Sequence, residues 1–97
     1  MKVTIDQRDG EAVILKIEGR LFGLRVPELH RAWQELSTSL GSRKLFVDLR
    51  GMTFIDATGK RLLSEIHEET GAEFLADTPL TKYFAEQAQQ EIRTQSR

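Results

Sequence analysis

No cysteine occurs anywhere in these 97 residues. Disulfide staples and thiolate chemistry are therefore excluded, and the cytoplasm is the expected location. Proline occurs only twice, at Pro27 and Pro79, and no stretch reads as a linker or an internal repeat. Long apolar runs are missing too, so no membrane-spanning segment is expected. Met1 to Gly10 is polar and lacks the apolar stretch of a signal peptide. Neither sign of charge dominates: the net charge is −1, with lysine and arginine scattered rather than striped. Nucleic-acid binders usually carry a basic face, so nucleic acid is not an expected partner. What remains is 39% hydrophobic and 30% charged, as expected of one globular domain over residues 1–97. That length is near the lower limit for burying a useful core without staples.

Alternation marks the first elements. Val3 and Ile5, then Val13, Leu15 and Ile17, each point one way along a strand, and Arg8-Asp9-Gly10-Glu11 between them suits a hairpin turn. Gly19 to Gly23 then bends the chain toward a helix whose stripe is Val26, Leu29, Trp33, Leu36 and Leu40. Pro27 lies in its first turn and Gly41 ends it. Leu45 to Leu49 is apolar on nearly both faces, as in a central strand. Arg50-Gly51-Met52-Thr53 reads as a short turn into Phe54-Ile55-Asp56. Gly59, Leu62, Leu63 and Ile66 form the next helical face, with Lys60, Arg61, Ser64, Glu65 and Glu68 toward water and Gly71 as the stop. Ala72 to Ala76 is a short strand. Asp77-Thr78-Pro79 opens a last helix with Leu80, Tyr83, Phe84, Ala88 and Ile92 on one face, and residues 91–97 form a polar, frayed tail. The order β-β-α-β-α-β-α predicts an α/β fold, a mixed sheet of about four strands with helices mainly on one face.

The segment Phe54 to Lys60, F-I-D-A-T-G-K, carries the chemical question. A nucleotide P-loop needs glycine where Phe54 stands and a hydroxyl residue where Arg61 stands. Aspartic proteases need acid and hydroxyl adjacent, but Ala57 separates them, and no second such segment supplies the partner carboxylate. An aspartyl-phosphate enzyme would also need metal-binding carboxylates and a cap domain. No nucleophile elbow is present for a serine triad. His30 and His67 stand alone and read as helix-surface residues rather than metal ligands. No catalytic residue, metal or cofactor is expected. What is left is a hydroxyl at a helix start, where Asp56 can cap the helix. A phosphate on Thr58 would meet free backbone N–H groups and the positive end of the helix dipole. The plainer role for Thr58 is a second capping hydroxyl.

These residues together resemble the STAS domain family, shared by anti-sigma factor antagonists and the cytosolic tails of sulfate transporters. The resemblance covers nearly the whole chain. It includes the opening hairpin, Glu18-Gly19-Arg20-Leu21, Pro27-Glu28-Leu29, and Val47-Asp48-Leu49 before Phe54-Ile55-Asp56. Where the family usually reads Asp-Ser-Ser-Gly-Leu-Gly, this chain has Asp56-Ala57-Thr58-Gly59-Lys60-Arg61. The resemblance implies that Thr58 is the phosphoacceptor and that Phe22 with Asp56, Ala57, Thr58, Gly59, Lys60 and Arg61 meets the partner. Phe22 stands where many antagonists carry an Asp.

The implied partner is an anti-sigma factor with serine/threonine kinase activity, with a phosphatase resetting the switch. The alternative is an adapter subunit bound to the ATPase of an ABC-type lipid or solute transporter, without phosphorylation. A monomer or weak dimer is expected, with no membrane insertion.

Overall fold

The computed structural model describes residues 1–7 and 10–95, with side chains as far as residue 89. Strands β1 (Lys2–Asp6) and β2 (Ala12–Leu21) pair antiparallel, with Val3 opposite Ile17 and Ile5 opposite Leu15. Two residues of the expected hairpin turn, 8 and 9, lie outside the described residues. Helix α1 (Arg25–Leu40) carries the chain to β3 (Lys44–Ile55), and α2 (Ala57–Thr70) carries it on to β4 (Glu73–Leu75). Both crossovers produce parallel pairs, giving one four-stranded sheet in the order β1-β2-β3-β4. Helix α3 (Pro79–Gln95) closes the fold. The tail expected to fray over 91–97 lies outside the residues whose side chains are described.

One face of the sheet is dry. Val13, Leu15 and Ile17 of β2 and Leu45, Val47 and Leu49 of β3 are buried against the helical layer. The α1 stripe of Leu29, Trp33, Leu36 and Leu40 and the α2 stripe of Leu62, Leu63 and Ile66 are buried there as well. Each such aliphatic or aromatic side chain contributes about 1.5–3 kcal/mol on leaving water. The opposite face carries the exposed Lys16 and Arg50. Its buried charge, Asp48, is paired with the Arg50 guanidinium at 3.0 Å.

Four expectations are corrected. Arg50 to Thr53 does not turn: it belongs to the twelve-residue β3, which stays paired with β2 as far as Leu21 and Ile55. Two register shifts, between Lys16 and Glu18 and between Gly19 and Arg20, each leave an extra residue on β3. These bulges break the period-two pattern, and the break imitates a turn in the sequence. Gly51 fits the first of them because a Cβ there would lie 2.9 Å from Glu18 Cγ.

Ser64 does not face water. It is fully buried, and its hydroxyl donates to the Ala88 carbonyl, which ties α2 to α3. On α3, Leu80 and Tyr83 are exposed, and the inward face is Thr81, Phe84 and Ala88. Thr81 is tolerated inside because its hydroxyl accepts the Asp77 and Thr78 amides, while Thr78 Oγ1 caps the helix by accepting the Thr81 amide at 3.1 Å. His67 is half-buried: its Nδ1 lies 2.7 Å from the Ala72 carbonyl and its ring stacks on Phe74.

Candidate functional site

The parallel strands β2 and β3 end side by side, with Leu21 opposite Ile55. Both chains then leave the sheet at one rim, β2 into α1 and β3 into α2. At that rim Asp56 has extended backbone and stands as the N-cap of α2. Its amide donates to the Leu21 carbonyl at 3.1 Å. Its Oδ1 accepts from the Gly59 amide and from Thr58 Oγ1, both at 2.8 Å. Its Oδ2 accepts from the Gly23 amide at 3.0 Å. One carboxylate therefore starts the helix, orients the threonine and straps the β2–α1 connection. The Gly23 and Gly59 amides and the Thr58 hydroxyl hold the Asp56 pKa below the ordinary carboxylate value, so it is ionised at neutral pH.

Gly59 lies directly under this cap and is buried. A Cβ at this position would sit 2.9 Å from Leu21 Cγ and 3.0 Å from Ile55 Cγ1. The absence of a side chain brings the first turn of α2 against the strand ends. Ala57 and Thr58 are exposed on the turn's outer side. The Thr58 hydroxyl thus sits on a turn that is tightly seated from below.

The residues singled out in the sequence fall into two groups around this turn. Thr58 and Arg61 line a groove between α1 and α2, with Val26, Pro27 and His30 across from them. Lys60, half-buried, lies about 200° round the helix from Thr58 and does not share that face. Phe22, 41% exposed, is on the other side of Asp56, beyond Gly23.

Residues the sequence reading passed over complete that second side. Arg20 is the register partner of Phe54, and Phe22 follows Arg20 at strand spacing on the same outward face. The Phe22 and Phe54 rings meet edge to face with centroids 6.0 Å apart. The Arg20 guanidinium stands 5.2 Å from the Phe22 centroid and 5.6 Å from that of Phe54. Phe54 is 42% exposed, and Leu24, next to the cluster, is 88% exposed. Alternation continued through Gly19 to Phe22 would have placed Arg20 and Phe22 together. Reading that stretch as a bend concealed the pair.

A four-stranded mixed sheet with this helix order, and an Asp-capped hydroxyl at the sheet rim, define a class. Residues 2–74 match the family described as the STAS domain, and the chain belongs to that family. All of α3 lies beyond the matched span. Among solved structures, the chain is similar to the anti-sigma factor antagonist SpoIIAA in its unphosphorylated form, with a TM-score of 0.66 and 15% identity over 84% of this chain and 79% of that one. It is also similar to the structure of Mglu, with a TM-score of 0.59 and 23% identity over 78% of this chain and 19% of that one. Both likenesses are of fold. No curated protein matches the sequence.

Proposed function

We propose that this chain is an anti-sigma factor antagonist-like regulator of transcription that acts by partner switching in the cytoplasm. In its unmodified form it binds an anti-sigma factor that is also a serine/threonine kinase. Phosphorylation of Thr58 ends the contact, and a phosphatase restores it. The domain contributes a surface and a hydroxyl, with no catalytic step of its own.

The observation that carries the proposal is the setting of Thr58. Its hydroxyl is exposed on the first turn of α2 and oriented by a 2.8 Å bond to Asp56 Oδ1. An incoming phosphate would lie at the positive end of the α2 dipole. It would also stand beside the ionised Asp56, so about two further negative charges would appear on a rim that carries exposed apolar side chains. Membership of the STAS family and the SpoIIAA-like fold support the same assignment.

Mass spectrometry of the chain after incubation with ATP and a cognate anti-sigma factor kinase tests the proposal. Phosphate on Thr58 is the expected result. Phosphate confined to another residue, or none from a kinase shown to be active and bound, overturns it and leaves an unphosphorylated adapter subunit in its place.

A further inference from the structure

The cluster of Arg20, Phe22 and Phe54 has a chemistry that neither capping nor core packing uses. Two aromatic rings flank the guanidinium and leave the cluster open to solvent. Among the described residues Arg20 forms no ion pair. The neighbouring Arg25 is paired with Glu28 at 3.0 Å, whereas Arg20 has ring contacts only. A guanidinium between two rings keeps all its in-plane N–H donors, in a rigid fork, for a ligand. Its side chain has already lost much of the rotamer freedom that binding would otherwise remove.

Building on the partner-binding function proposed above, we infer that Arg20, walled by Phe22 and Phe54, is a recognition site for a carboxylate of the partner protein, an Asp or Glu flanked by an apolar side chain. The fork suits bidentate acceptance by a carboxylate. The apolar neighbour is specified by Leu24, which borders a depression shared with Phe22, Arg25 and Glu28. A singly charged ligand is favoured over a phosphate because the Asp56 carboxylate stands at this rim, one hydrogen bond from Gly23, while the Glu28 that lines the depression is already paired with Arg25. A fixed negative charge repels a dianion more strongly than a monoanion. The same electrostatics give the switch its direction, since a phosphate on Thr58 would add negative charge next to Asp56 and oppose an acidic partner segment.

The test needs neither kinase nor modification, so its failure and the failure of Thr58 phosphorylation are separate results. Isotope-labelled, unphosphorylated protein is titrated by NMR with the peptide acetyl-Gly-Glu-Leu-Glu-Gly-amide. The counterpart with Gln in place of Glu and inorganic phosphate form the other arms. The acidic peptide is expected to bind in the millimolar range, moving the Arg20 Nε–H signal and the ring signals of Phe22 and Phe54. The Gln peptide leaves them in place. Arg20→Gln weakens the acidic peptide at least about tenfold, and Arg20→Lys weakens it severalfold, because an ammonium lacks the planar fork. Signals away from the cluster report that each variant is folded. Equal response to both peptides, no response at the cluster, unchanged affinity in either variant, or tighter binding of phosphate than of the acidic peptide overturns the inference.

Discussion

The Asp56 carboxylate takes the Gly23 amide at 3.0 Å from a position 33 residues further along the chain, and this single bond joins the loop before α1 to the start of α2. Asp56→Ala removes that strap together with the helix cap at Gly59. A lost cap alone costs about 0.5–2 kcal/mol, so a loss of roughly 2 kcal/mol in urea unfolding is expected. Faster amide exchange should appear at both Gly23 and Gly59. Protection lost at Gly59 alone would mean that the loop is held by other contacts.

Gly59 and Gly51 make a matched pair of tests. Each added Cβ would approach another atom at 2.9 Å, but the neighbours differ in kind. At Gly51 the neighbour is the flexible Glu18 side chain, which can move aside. At Gly59 it is Leu21 and Ile55, wedged between helix and strand ends. Gly59→Ala is expected to cost about 1–3 kcal/mol as overpacking, and Gly51→Ala clearly less. Thermal or urea denaturation of the two variants side by side checks the order.

Leu63 is fully buried under α2, and Leu63→Ala should cost about 2–5 kcal/mol. Ser64→Ala removes the hydroxyl that ties α2 to the Ala88 carbonyl and should cost about 0.5–1.5 kcal/mol. The burial of Ser64 also sharpens the phosphorylation assay, since a kinase can reach Thr58 on the folded domain but not Ser64.

Acid should destabilise the domain through two identifiable carboxyls. The Arg50 guanidinium holds the Asp48 pKa below its ordinary value, outweighing the opposing effect of burial. The Gly23 and Gly59 amides and the Thr58 hydroxyl do the same for Asp56. Both native pKa values lie below the unfolded ones, so the folded state binds fewer protons. The contribution is complete above the ordinary carboxylate value of 3.8 and disappears as pH falls through the native pKa values. Urea midpoints should therefore decline from about pH 5 downward. Asp48→Asn should start from a lower midpoint at neutral pH and show a flatter acid limb.

Thr58→Glu should weaken binding to the proposed anti-sigma partner while changing stability by less than about 1 kcal/mol, because only one exposed hydrogen bond is lost. Thr58→Ala should bind constitutively. The two neighbouring cations should separate. Arg61→Glu, on the Thr58 side of the helix, should slow association and reduce its salt dependence, whereas Lys60→Glu should change the on-rate less. Surface plasmon resonance at two ionic strengths distinguishes them.

The strand and helix order was legible because each apolar stripe has one period and one stop. Gly41 and Gly71 mark helix ends in the sequence and occupy left-handed φ in the structure, at +62° and +70°. Asp56 as a cap was equally legible, since the rule is local. What failed was whatever depended on a partner distant in sequence. Ser64 looks exposed until Ala88 is brought beside it, and Thr81 is polar until its cap bonds are seen. Arg20 and Phe54 are 34 positions apart, so no local pattern connects them, and the aromatic cluster emerged only from the parallel register.

The two bulges in β3 keep the rim in register although β3 is longer than the part of β2 it faces. A bulge takes up one extra residue, so the residues beyond it meet β2 with their faces preserved. Met52 is buried opposite Gly19 after the first bulge; after the second, Ile55 lies over the core beside Leu21 and Phe54 faces outward beside Arg20. Removing Thr53 would leave Phe54 directly after the inward Met52, still facing outward, with Ile55 still inward. The segment therefore has one residue of slack at each bulge, and the place of Asp56 beside Gly23 depends on pairing with β2 rather than on the number of residues that lead to it.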